Sequence, residues 1–213
     1  RNRSTNRAKF VGYVGGSPKN CHSFRPYAQA MGQEEICTSD PKTREKVAEL
    51  MCGYIAADRA KLREQGRPDY CIPLVYDLSQ NDGGREFTCT CANCRALFRA
   101  AGSWSGPNIA FASAVAERVA KRHPEVTIQT FAYSYTMQPP KDETMAADNV
   151  VVRYCKSNFM PPQELVPGSP NGKLFEEWKT HASNFSIWSY WKSYAGKAFP
   201  AVLTRARIGA EIR

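Results

Sequence analysis

Two short runs between Ile72 and Cys94 hold the residue types with the most chemical reach. The first, Ser79-Gln80-Asn81-Asp82, follows a mostly apolar stretch from Ile72 to Leu78. An Asp at the end of a buried strand can serve as general acid or base, and neighbouring amides can hydrogen-bond sugar hydroxyls or steady the carboxylate. Asn-Asp-Gly-Gly is also good turn chemistry. What favours a site is that the polar run comes directly after a buried strand. The second run, Cys89-x-Cys91-x-x-Cys94, puts three thiols within six residues. That spacing suits one tetrahedral metal ion whose fourth ligand comes from elsewhere, with Cys37 the leading candidate and Cys155 the next. Structural zinc, disulfides and free thiols are all compatible with it. A catalytic thiol is disfavoured, because no His lies nearby in sequence.

Further candidates lie along the later part of the chain. Tyr133, Tyr135, Trp188, Tyr190 and Trp191 fall at strand ends, where aromatic faces either stack on sugar rings or fill a core. Arg153 interrupts an apolar strand, so it needs an anionic partner: a carboxylate of the protein or of a substrate. His22, in a loop-like stretch after Gly15-Gly16, is a candidate ligand contact. His123 and His181 sit near helix ends and read as capping or surface residues.

These residues must be positioned by regular elements, and the periodicity supplies them. Asp40-Pro41 opens a helix carrying Val47, Leu50, Met51, Tyr54 and Ile55, fading near Gly66. Ile72 to Leu78 reads as a short strand buried on both faces. Cys91 to Ala101 is helical, and a further helix starts at Ser105-Gly106-Pro107. Val126 to Tyr135, Asn149 to Cys155 and Phe185 to Trp191 read as strands, with a helix around Leu174 to Trp178 and a fifth strand over Ala201 to Ile208. Buried strands alternating with amphipathic helices argue for an α/β fold with parallel βαβ units, either a doubly wound sheet or a (β/α) barrel. The connections Thr136 to Asp148 and Lys156 to Gly172 lack a strong helix signal. Both follow strand C-termini, where such folds bind ligands.

Composition narrows the classes. With 213 residues, 42% hydrophobic and 23% charged, the chain has room for one sizeable globular domain. No run of about 18 apolar residues appears, so no membrane span is expected. The net charge of +9 is spread out, without a basic block interleaved with aromatics, and reads as a solvated surface rather than a nucleic-acid footprint. No G-x-G-x-x-G follows a strand, so a dinucleotide, or any other organic cofactor, is not expected. Eight cysteines, an even count, suggest export to a secreted, periplasmic or cell-surface location. The chain opens at Arg1 without an initiator Met, and the expectation is a fragment or processed product of a larger polypeptide.

Taken together, RNR at Arg1, CHSF through His22, ICTSDP around Cys37, LSQND, CTCANC, SGP, FAYSYTMQPP, DNVVVRYC and FSIWSYW resemble, in order and along essentially the whole chain, the bacterial domain of unknown function 4838. That group of mostly exported proteins is similar to α-glucuronidase-type glycoside hydrolases. The resemblance implies a TIM-like (β/α) barrel over residues 1–213. It further implies that such a barrel has its central strands in this chain and its closing strands outside it, since the family domain is expected to begin before Arg1 and run past Arg213. It implies a carbohydrate ligand and a glycoside hydrolase-like activity on a poly- or oligosaccharide, with Asp82 catalytic. His22, Gln80, Asn81, Tyr133, Tyr135, Arg153, Trp188 and Tyr190 would contact substrate. It also implies Cys37 as partner of Cys89, Cys91 and Cys94 in a structural zinc site. The motif I-W-D-Y reads Ile187-Trp188-Ser189-Tyr190 here, losing an Asp. That departure favours the alternative of a non-catalytic glycan-binding or structural module.

Overall fold

The computed structural model describes residues 36–80, 88–156, 165 and 168–189. The first helix, α1, spans Pro41–Glu64. Asp40 caps it by accepting from the Thr43 amide at 2.8 Å, Pro41 fixes the first turn, and Lys61 and Arg63 sit against the negative end of the helix dipole. A 3-10 turn at Asp69–Cys71 leads into β1, Val75–Asp77. Next come α2 (Ala92–Ala101), α3 (Ser105–Ala120), β2 (Thr127–Ala132), a 3-10 turn at Ser134–Thr136, β3 (Val150–Lys156), α4 (Pro170–Trp178) and β4 (Phe185–Ser189). The four strands form one sheet in the order β1-β2-β3-β4, with every neighbouring pair parallel. The α/β expectation is thereby met, and the connection from the second strand to the third contains no α-helix, as its sequence suggested.

Two strands are shorter than expected. Ile72 to Leu78 contracts to Val75–Asp77. Pro73 has no N–H to give a ladder, and Leu74 is exposed. Nor is the strand buried on both faces: Tyr76 is buried, while Val75 and Asp77 are half-buried. Val126 to Tyr135 ends at Ala132. There the Thr136 hydroxyl intercepts the ladder, accepting from the Tyr133 amide at 3.2 Å and facing the Phe131 and Tyr133 carbonyls at 3.1 and 3.0 Å. The fifth strand and the end of the fourth, with Tyr190 and Trp191, lie outside the described residues.

Side-chain parity divides the sheet into two faces with different jobs. Tyr76, Ile128, Val150, Val152, Tyr154 and Ala132 point to the helices and are buried with Met51, Ile55, Phe111, Val115, Ile109 and Trp178. The opposite parity is polar and aromatic. Asp77, Gln129 and Val151 form one row across β1 to β3, Phe131, Arg153 and Ser186 the next, and Cys155 with Trp188 the last. A hydrophobic core therefore lies on one side, and the chemically versatile residues on the other.

The α2–α3 corner is tightly built. Gly102 closes α2 at φ 62, a conformation that glycine adopts without strain. Its amide donates to the Phe98 carbonyl at 2.8 Å. Gly106 lies so close to Ala101 that a Cβ there would sit 2.2 Å from the alanine methyl.

Candidate functional site

A tetrad of thiols forms where the segment before α1 meets the segment before α2. Cys37, Cys89, Cys91 and Cys94 bring their four sulfur atoms within 4.8 Å of one another. Cys37 Sγ lies 3.9 Å from Cys91 Sγ and 3.7 Å from Cys94 Sγ. Three of the four are fully buried and Cys91 is half-buried. Helix α2 fixes two of them, since Cys91 is its N-cap and accepts from the Cys94 amide at 3.4 Å. Around the sulfurs, Ser39 Oγ stands 3.1 Å from Cys94 Sγ and 3.6 Å from Cys91 Sγ. Arg44 Nε donates to the Thr38 carbonyl at 2.7 Å and pins the loop that carries Cys37 and Ser39.

The proximity of the thiols separates their acidities. Hydrogen bonding from Cys37 and Cys89 pulls Cys94 far below the usual thiol range, against the effect of burial. Contact with Cys37, then with Cys94, pushes Cys89 far above it. For Cys37 the contact with Cys89 is lowering, yet Cys94 and burial outweigh it and push the thiol up to about 12. Four soft ligands with one favoured as thiolate can hold a metal ion. Cys37 is the fourth thiol of the cluster, while Cys155 sits on β3 beside Trp188. The described cysteines Cys37, Cys52, Cys71, Cys89, Cys91, Cys94 and Cys155 are all free of S–S bonds.

The other candidates gather at the C-terminal ends of the strands. Gln80, three residues past β1, donates from Nε2 to the Tyr133 carbonyl at 3.0 Å and to Thr136 Oγ1 at 2.6 Å. Its Oε1 is buried without a hydrogen-bond partner. Tyr133 lies beside Phe131, with ring centroids 6.0 Å apart. Phe131 meets Trp188 edge-on at 5.8 Å. The Arg153 guanidinium lies 5.9 Å from the Phe131 ring centroid and 5.4 Å from that of Trp188, while its Nε donates to Ser186 Oγ at 3.3 Å. Gln80, Tyr133, Phe131, Arg153 and Trp188 thus form one continuous path across the ends of β1 to β4. Tyr135 lines a small cleft together with Gln80, Trp104 and Asn108. His22, Asn81, Asp82 and Tyr190 lie outside the described residues.

Several residues at these ends escaped the sequence reading. Asp77 accepts from Ser79 Oγ and faces the same side as Gln129 and Arg153. The two-residue alternation through Val75, Tyr76 and Asp77 was the signal that could have separated it from the core. Asn108 looks like an ordinary polar helix residue, but it is buried, donating to Thr130 Oγ1 at 3.0 Å. His181 and His123 have local roles: His181 Nδ1 lies 2.9 Å from the Thr144 carbonyl, and His123 Nδ1 is 3.5 Å from Arg59.

Fold and site define an α/β domain with an all-parallel sheet, polar strand ends and a four-cysteine cluster beside the first of them. The chain belongs to the family described as a domain of unknown function, DUF4838, whose model matches residues 26–213. No curated protein and no solved structure gives a significant match. Among the described residues, no helix is long and apolar enough to cross a membrane.

Proposed function

We propose that the chain is a carbohydrate-active domain, a glycoside hydrolase-like (β/α) barrel unit that takes a poly- or oligosaccharide at its strand C-termini. The observation that carries this reading is the path from Gln80 through Tyr133, Phe131 and Arg153 to Trp188, built from four consecutive parallel strands. It combines amide, guanidinium and aromatic faces, the set that binds sugar hydroxyls and stacks on pyranose rings. Sequential strand order without a switch point suits a barrel, whose ligands bind at this end. In this reading Asp82 is the general acid or base, and His22, Asn81, Tyr135 and Tyr190 complete the substrate contacts. The even cysteine count supports an exported protein.

The cysteine tetrad holds structural zinc in this proposal. A zinc–thiolate bond of about 2.3 Å in a tetrahedron gives sulfur–sulfur edges of about 3.8 Å. The two edges described above, 3.7 and 3.9 Å, fit that figure. Four thiolates would fill the coordination sphere, so the metal would supply a crosslink between the α1 and α2 segments. A second reading, glycan binding without turnover, draws on Ser189, the last residue of β4, where the family motif carries Asp. One experiment separates the two: incubation of the native chain and Asp82→Asn with a panel of oligosaccharides. Hydrolysis that Asp82→Asn abolishes supports the enzyme, binding without hydrolysis by the native chain supports the module, and neither activity refutes both.

A further inference from the structure

The Ser39 hydroxyl reaches three of the four sulfurs of the tetrad. Its Oγ lies 3.1 Å from Cys94 Sγ, 3.5 Å from Cys37 Sγ and 3.6 Å from Cys91 Sγ. Similar distances to three corners place the oxygen over the face that those corners form. Cys89 supplies the fourth corner, so in a tetrahedral site that face is the one turned away from Cys89. Thr38 Oγ1 stands farther off, at 3.8 Å from Cys94 Sγ. The backbone on both sides of Ser39 is held. Arg44 Nε donates to the Thr38 carbonyl at 2.7 Å, and the Asp40 carboxylate accepts from the Thr43 amide at 2.8 Å and from its hydroxyl at 2.7 Å. Thr43 and Arg44 both belong to α1. The hydroxyl is therefore carried on a segment tied to that helix, and little ordering entropy is left to lose when it makes a hydrogen bond.

Four thiolates around one divalent ion leave a net negative charge in a largely buried place. Such a charge is stabilised by donors aimed at the sulfurs from outside the coordination sphere. A metal-bound thiolate accepts hydrogen bonds and has no proton to give, so the proton shared with Ser39 must come from the serine hydroxyl. We infer that Ser39 is a positioning residue of the metal centre: its hydroxyl donates to a metal-bound thiolate, Cys94 being nearest, and tightens the site without binding the ion. The inference rests on the zinc reading proposed above and adds to it a residue that cysteine spacing does not reveal. A serine that merely fills the turn before α1 would leave the metal affinity unchanged on removal, because the helix is capped by Asp40.

The test measures zinc affinity of the full chain by competition with a chromophoric chelator under reducing conditions. Ser39→Ala should bind zinc about 10–100-fold more weakly than the native chain, and Ser39→Thr, which keeps a hydroxyl, within about threefold of it. Cobalt-substituted chains report the hydrogen bond itself. A thiolate that loses a donor is easier to oxidise, so the sulfur-to-cobalt charge-transfer bands should move to lower energy in Ser39→Ala and stay in place in Ser39→Thr. Equal zinc affinity in the native and Ser39→Ala chains overturns the inference and leaves the zinc reading standing. Weaker affinity with unmoved bands assigns the loss to packing and overturns it as well. A native chain that takes up no zinc refutes the zinc reading and, with it, this role of Ser39. If Ser39→Ala fails to fold, the isosteric pair Ser39→Thr and Ser39→Val is compared instead, with the loss of affinity and the band shift expected in the valine variant alone.

Discussion

The structural zinc proposed for the cysteine tetrad predicts that its removal loosens the domain by an amount that follows from the chain it would close. Cys37 is 54 residues from Cys91 and 57 from Cys94, so the crosslink ties a long loop in the unfolded chain. The loop-closure relation used for disulfides gives about 4 kcal/mol for a loop of that length, and a metal clip acts on the same entropy. For a domain of this size each kcal/mol moves the melting temperature by about 2–4 °C, so a fall of about 8–16 °C is expected. The assay is thermal unfolding followed by circular dichroism under reducing conditions, with and without a zinc chelator, alongside metal analysis of the purified chain. One equivalent of zinc and a fall in this range are predicted, and Cys37→Ser should melt near the chelated native chain. Less than about half an equivalent of zinc, with the tetrad found oxidised, or a chelated chain that melts within about 2 °C of the untreated one, would refute the reasoning.

Other consequences concern packing and pH. Gly106→Ala drives a methyl into Ala101, and overpacking of this kind should cost about 1–3 kcal/mol in denaturant unfolding. Adding Ala101→Gly should recover part of that loss, and no recovery would place its cause elsewhere. Burial, then the neighbouring Cys155, pushes the Tyr154 phenol from 10.0 up to about 12. The folded state therefore holds this proton to higher pH than the unfolded state does. Its contribution, at most about 2–3 kcal/mol, is present below pH 10 and lost as pH rises from 10 through about 12. Tyr154→Phe should flatten the alkaline decline measured by urea titration at several pH values, with little change near neutrality because its bond to the Asn171 carbonyl is long at 3.4 Å. An unchanged alkaline slope would remove Tyr154 from that decline.

Much of this architecture is legible in the amino-acid sequence. The α1 start was legible because Asp40-Pro41 combines a cap with a proline, two local devices that need no tertiary context. The tetrad is legible because three of its thiols are local in sequence, and only Cys37 comes from a distant segment. Strand ends were harder. Thr136 stops β2 by hydrogen bonds that reach back three to five residues, and apolar periodicity does not register a side chain that competes with the ladder. The cleft was the least legible part. Asn108 lies on a helix and Gln80 on a loop, and their meeting depends on how α3 packs on β2.

The most direct test of the central claim, that sugar binds across the strand ends, is affinity electrophoresis or calorimetry of the native chain and Trp188→Ala with oligosaccharides. Trp188 is 39% exposed, so its truncation should leave the fold intact. The account predicts saturable binding by the native chain and roughly tenfold weaker binding by the variant, the loss of one stacking face. Equal binding by the two proteins, or no binding by the native chain, would contradict it.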